Sequence, residues 1–127
     1  MIEENKSNIA ACAICLDAYS KILAIKLHNS EEYSLPCGYV RLDELPSDAI
    51  VDIVQRKTGY HSSYRLHTIT KSCNGLTVYC YVQTSVSMLE YVSDKHEHIS
   101  NWVNIDEVCS GQFGSFFKSL LFELGLL

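Results

Sequence analysis

Leu35-Pro36-Cys37-Gly38-Tyr39-Val40-Arg41-Leu42-Asp43-Glu44-Leu45-Pro46-Ser47-Asp48-Ala49-Ile50-Val51-Asp52-Ile53-Val54-Gln55-Arg56-Lys57-Thr58-Gly59-Tyr60 is the stretch on which the reading of this chain turns. Leu35-Pro36-Cys37-Gly38 predicts a turn, because proline fixes one φ and glycine relaxes the next constraint. From Ser47 the period becomes helical. Ser47 is a candidate N-cap, and Asp48 suits the positive start of a helix. Ala49, Ile50, Ile53 and Val54 then fall on one side of it. Arg56 and Lys57 occupy the last turn, and Gly59 is a candidate stop.

Outward from this helix the chain reads as strands. Asn8 to Asp17 and Lys21 to His28 are apolar runs around Ala18-Tyr19-Ser20 and predict two strands. Tyr64 to Ser72 and Leu76 to Val86 are rich in Tyr, Thr and Val, and Cys73-Asn74-Gly75 between them signals a hairpin. Ile99 to Ile105 follows a polar stretch, and Asp106-Glu107-Val108 is a short turn. Phe113, Phe116, Phe117, Leu120, Leu121 and Leu124 recur at helical spacing, which predicts an amphipathic helix over residues 111–125. That stripe serves either to pack the core or as a dimer or partner face. This order of elements predicts one α/β domain over residues 1–127, a central mixed sheet with helices on both faces, preceded by a polar segment over 1–7.

Composition narrows the function. In 127 residues, 47% are apolar and 20% charged, enough to build one core. Ten basic against fifteen acidic residues give a net charge of −5, the wrong sign for a binder of duplex nucleic acid. No apolar run approaches the roughly 20 residues that span a bilayer. Met1 to Asn8 carry no secretory signal, so a cytoplasmic location is expected. Six cysteines in a reducing compartment are expected as free thiols. Cys12 and Cys15 form a C-x-x-C, but on a strand that spacing sends them to opposite faces, so they are expected to be buried small hydrophobes. Cys37, Cys73, Cys80 and Cys109 lack zinc-finger spacing.

The quoted stretch resembles the box of the Nudix hydrolases, G-x5-E-x7-R-E-U-x-E-E-x-G-U with U apolar. It aligns without a gap: Gly38 takes the first glycine, Glu44 the glutamate, Val54 the apolar position, and Gly59-Tyr60 the closing pair. Leu35-Pro36 is similar to the Leu-Pro that often precedes it. Asn101-Trp102-Val103-Asn104-Ile105-Asp106-Glu107-Val108 is similar to the aromatic strand and acidic turn of many members. The resemblance runs from about Asn8 to Val108 and implies a Nudix-like α/β/α sandwich.

The departures bear on chemistry. In the family the glutamates of R-E-U-x-E-E hold magnesium or manganese from one helical face, where i, i+3 and i+4 are neighbours. Those positions here are Ile53, Arg56 and Lys57, and Asp52 replaces the arginine. Ile53 offers no lone pair, and like charges at ~4 Å cost on the order of 4 kcal/mol at an effective dielectric of 20. The box therefore predicts no family-type metal site, no cofactor, and loss of hydrolysis, which depends on metal-activated water. Arg41, Arg56 and Lys57, with Gly38, are then candidate ligands for a nucleotide or other phosphorylated small molecule. The bland alternative is that Arg56 and Lys57 simply suit the helix dipole. A protein partner or homodimer is the other binding alternative. If activity is retained, Glu44 and Glu97 are the candidate catalytic residues, with Mg or Mn as cofactor and Asp52 as a further carboxylate. Asp48 and Asp52 share a helical face that is expected to be turned from Ile53 by roughly a quarter turn. His96 and His98 are either a weak metal pair or part of a polar surface loop.

Overall fold

The structure, a computed structural model, describes residues 8–26, 32–72, 74–84, 89–92, 99–108, 114–123 and 125. The β-strands are β1 (Ile9–Ile14), β2 (Ile22–Lys26), β3 (Tyr33–Ser34), β4 (Cys37–Tyr39), β5 (Tyr60–His61), β6 (Tyr64–Lys71), β7 (Thr77–Gln83), β8 (Glu90–Tyr91) and β9 (Ile99–Val103). The helices are α1 (Pro46–Thr58), the single turn α2 (Ile105–Glu107) and α3 (Ser115–Glu123). A mixed sheet runs β4-β1-β7-β6, a second sheet runs β3-β2-β9, and β5 pairs with β8. Strands β1 and β7 are parallel, and the other pairs are antiparallel.

Alternation along β1 sorts its side chains into two cores. Cys12 and Ile14 join Ile22, Val78, Cys80, Val103, Leu120 and Leu121 on one side. Ala11, Ala13 and Cys15 join Leu23, Val40, Ala49, Ile50, Ile53 and Val54 on the other. Helix α3 thus closes one side and α1 the other, which makes the α/β/α sandwich. The C-x-x-C pair is split as its strand spacing requires. The Cys12 thiol donates to Cys80 Sγ at 3.7 Å, and the Cys15 thiol to Tyr64 Oη at 3.8 Å. Both residues are buried. The hairpin forms where Asn74-Gly75 turns, with Gly75 at φ 86° and β6 antiparallel to β7.

Two expectations need correction. Leu35–Gly38 is not a turn. Cys37 and Gly38 lie in β4, opposite Cys12 and Ala11, after a bend at Pro36 whose carbonyl accepts from Ala13 N–H at 3.0 Å. Gly38 is not among the positive-φ glycines. Its use is close approach: a Cβ there would meet Ile53 Cγ1 at 3.3 Å. Ser47 is not the N-cap either. The cap lies two residues earlier, at Leu45, with no side-chain capping bond and a proline in the opening turn of α1, where the ring's preset φ substitutes for a cap. The helix end is as expected: Gly59 is left-handed at φ 84° and its N–H bonds Gln55 O. Strands β1 and β2 belong to different sheets. A Leu16–Ile22 bridge links them around a turn clamped by Asp17 Oδ1, which accepts from Tyr19 and Lys21 N–H. The expected mixed sheet between helices is β4-β1-β7-β6, accompanied by the smaller β3-β2-β9 and β5-β8 sheets.

Candidate functional site

Strand β4, the turn after it and helix α1 enclose a cleft of about 250 Å³ lined by Tyr39, Arg41, Glu44, Asp52, Ile53 and Arg56. Its floor is the contact of Ile53 on Gly38. Ile53 is 1% exposed, so the position where the resemblance places a metal-holding glutamate is core here. One wall is the tight turn 41–44. Glu44 N–H bonds Arg41 O at 3.2 Å, Arg41 N–H bonds Glu44 Oε1 at 3.3 Å, and Arg41 Nε stands 3.8 Å from the same oxygen. The opposite wall is the i, i+4 pair on α1, where Arg56 Nε donates to Asp52 Oδ2 at 3.2 Å.

Of the residues singled out from sequence, Arg41, Glu44 and Arg56 line this cleft, and Gly38 meets it only through its contact with Ile53. Lys57 is half-buried and is not among its lining residues. Its charge acts instead on the neighbouring Cys37 thiol, which burial pushes up and Lys57 pulls partly back. Glu97, His96 and His98 lie outside the described residues. Asp52 was expected on a face turned away from Ile53, yet it lines the cleft. The cleft is open enough that both i and i+1 border it, and the ion pair draws Asp52 toward Arg56. The acid-then-base spacing of Asp52 and Arg56 was the available signal.

The donor set does not fit a divalent ion of the Nudix kind. A hard dication needs several clustered carboxylate oxygens. The cleft supplies Glu44 and Asp52, each already facing a guanidinium, and an arginine stands where another ligand would be. Among the described residues, no group of three or more His, Cys, Asp or Glu side chains could hold a metal ion. What the cleft can do is present two guanidinium groups to an anion.

This architecture is the Nudix fold. MutT, from work on the Aliivibrio salmonicida and Vibrio cholerae proteins, superposes with a TM-score of 0.72 at 14% identity, over 91% of this chain and 93% of that one. The MutT protein of Methanosarcina mazei Go1 gives 0.65 at 18%, over 98% and 96%. A Nudix hydrolase of Nitrosomonas europaea gives 0.68 at 14%, over 97% and 89%. The likeness at these identities is one of fold. No sequence-family model matches the chain, and no curated protein matches it in sequence. No helix among the described residues is long and apolar enough to cross a membrane.

Proposed function

We propose that this chain is a Nudix-fold binding module without metal-dependent hydrolysis, holding the phosphate end of a nucleotide or other phosphorylated small molecule. The observation that carries the reading is the cleft itself: Arg41 and Arg56 face one cavity, while the positions that would hold the metal are Ile53, Arg56 and Lys57. The arginines' partnerships do not bar an anion. The side chains of Arg41 and Arg56 are 73% and 46% exposed, and exposed pairs contribute about 0–1 kcal/mol. A phosphate oxygen offers charge-assisted hydrogen bonds of roughly 1.5–3 kcal/mol each. Lys57, next along α1, adds positive potential nearby.

Thermal shift and calorimetry with ADP-ribose, dinucleoside polyphosphates and nucleoside triphosphates, each with and without magnesium, test the reading. At a ligand concentration of about 100 Kd the fold gains roughly 2.7 kcal/mol. The gain is expected to be independent of magnesium and to be lost in Arg41→Gln/Arg56→Gln. If no phosphate compound raises Tm, the small-molecule reading fails and a protein partner takes its place.

One observation favours a second reading: Glu44 and Asp52 border the same cavity. A divergent pyrophosphohydrolase would use them with Mg or Mn, and with Glu97. Phosphate release over the same compounds that is abolished by Glu44→Gln would establish it.

A further inference from the structure

We propose that β6 is a self-association edge: a second copy of this chain pairs antiparallel with it about a two-fold axis and extends the β4-β1-β7-β6 sheet.

Position comes first. Strand β6 ends that sheet and runs for eight residues. Its ladder partner is β7, and among the described residues no strand pairs with its outer edge. Such an edge presents a row of N–H and C=O groups to any strand that fits it. The edge is also apolar. Leu66 and Ile69 are 45% and 50% exposed. Three residues apart, they would point to opposite faces of a regular strand. The register of β6 on β7 shifts between Leu66 and Thr68, so that Leu66 stands opposite Tyr81 and Ile69 opposite Tyr79. Those tyrosines are two apart on β7 and both pack with the core on the α1 side. The bulge therefore brings Leu66 and Ile69 onto one face, where they extend that apolar surface to the edge of the sheet.

The bulge also selects the occupant. A regular strand laid along β6 keeps step with Leu66 or with Ile69, but not with both. A second copy carries the same extra residue. With the two-fold axis between His67 and Thr68, Leu66 of each copy meets Ile69 of the other, Arg65 meets Thr70, and Tyr64 meets Lys71. An isologous contact is reciprocal in this way, and directly opposed apolar residues stabilise an antiparallel pair. Charge agrees with this register. Strand β6 carries Arg65, His67 and Lys71 and no acidic residue, yet no two of the three stand opposite each other. Arg65 and Thr70 share the α3-side face, as their β7 partners Val82 and Val78 do. There the second copy's Arg65 comes to Thr70, which borders a hollow with the exposed Glu123 of α3. Strand β4, beside the cleft, is at the far edge of the sheet, so the association leaves the cleft open.

Sedimentation velocity over a concentration series tests the proposal. One strand pair is smaller than a standard interface, so a Kd of roughly 10–100 µM is expected. Ile69→Lys sets a charge against Leu66 twice per dimer and is expected to leave a monomer. Its melt, taken below the Kd, is expected to match the parent, because Ile69 is half exposed. Thr70→Glu is expected to tighten the dimer and Thr70→Arg to weaken it, each by roughly twofold to thirtyfold, since every change counts twice. Phe122→Ser, at an exposed aromatic of α3, is expected to change nothing. Should Ile69→Lys lower the melt, the two Thr70 variants decide alone. A chain that stays monomeric about tenfold above that Kd range overturns the proposal. So does a dimer that survives Ile69→Lys, or a Kd that moves the same way in both Thr70 variants. A dimer dispersed by Phe122→Ser and not by Ile69→Lys also overturns it, in favour of a contact through α3.

Discussion

The two flanks of α1 have been used differently. On the inward flank Ala49, Ile50 and Val54 are buried against Ala11, Ala13, Cys15 and Leu23, and each matches what an amphipathic helix on a sheet needs. On the cleft flank the side chains of Asp52 and Arg56 are 66% and 46% exposed and bond each other. Ile53 sits at the border, pressed onto Gly38. The fold asks of this helix only shape and greasiness, whereas metal chemistry asks for several carboxylates on one face. Ile53, where the resemblance places a metal-holding glutamate, meets the first demand and not the second. The glycine beneath it serves packing.

If that contrast is correct, perturbing the inward flank and its core should cost stability, and perturbing the outer flank should not. The largest effect is expected at alkaline pH. Burial holds the Cys15 thiol up to about 12 from an ordinary 9.0, with the Tyr64 hydroxyl offsetting part of the rise. The folded chain keeps that proton over a range where the unfolded chain releases it. Its contribution is complete below pH 9 and shrinks as pH rises toward 12, by about 1.4 kcal/mol per unit, or roughly 4 kcal/mol over the window. Urea melts across this range should show the decline, and a shallower one in Cys15→Ala. An identical slope in both proteins would mean that Cys15 is not held this way. Next comes Ile53→Ala, expected to cost roughly 3 kcal/mol as a large-to-small change in a filled core. Gly38→Val should cost roughly 2 kcal/mol, because its side chain has no room beside Ile53. The two changes should couple: Gly38→Val costs less in the Ile53→Ala background, where the space has been opened. Strict additivity would show that the Gly38–Ile53 contact is not what fixes the floor.

The same contrast explains how far the sequence could be read. Period and punctuation revealed α1 through Ala49, Ile50, Ile53 and Val54, and its end through Gly59, because packing and a left-handed stop leave local signatures. The β6–β7 hairpin was legible in Asn74-Gly75 for the same reason. Cys37 and Gly38 were not legible as a strand. Pro36 and Gly38 carry turn chemistry locally, and the pairing with Cys12 and Ala11 is a long-range fact. Ser47 was a plausible cap, but Pro46 was already placed to begin the helix. At the site, residue identity ruled out the family's metal ligands, yet it could not show that Asp52 turns into the cleft to meet Arg56, or that Lys57 is left out of the lining. Those depend on which way side chains lie along an open groove, and periodicity resolves that only to within a residue.

The smallest expected effect on stability belongs to Arg56, and for that reason it discriminates best. Its bond to Asp52 at 3.2 Å is an exposed i, i+4 pair, worth about 0.3–0.5 kcal/mol. Its place in the last turn adds about as much again through the helix dipole. Arg56→Gln keeps the length and most of the stem, so the melt should move by less than about 1 kcal/mol. A residue retained for folding would lose little else. A residue retained to meet a phosphate loses a charge-assisted hydrogen bond of roughly 1.5–3 kcal/mol, about a tenfold or greater loss of affinity. Measured side by side, an unchanged melt with weakened anion binding assigns the outer flank of α1 to recognition. A destabilised protein with affinity intact would instead make Arg56 a structural cation that suits the helix end.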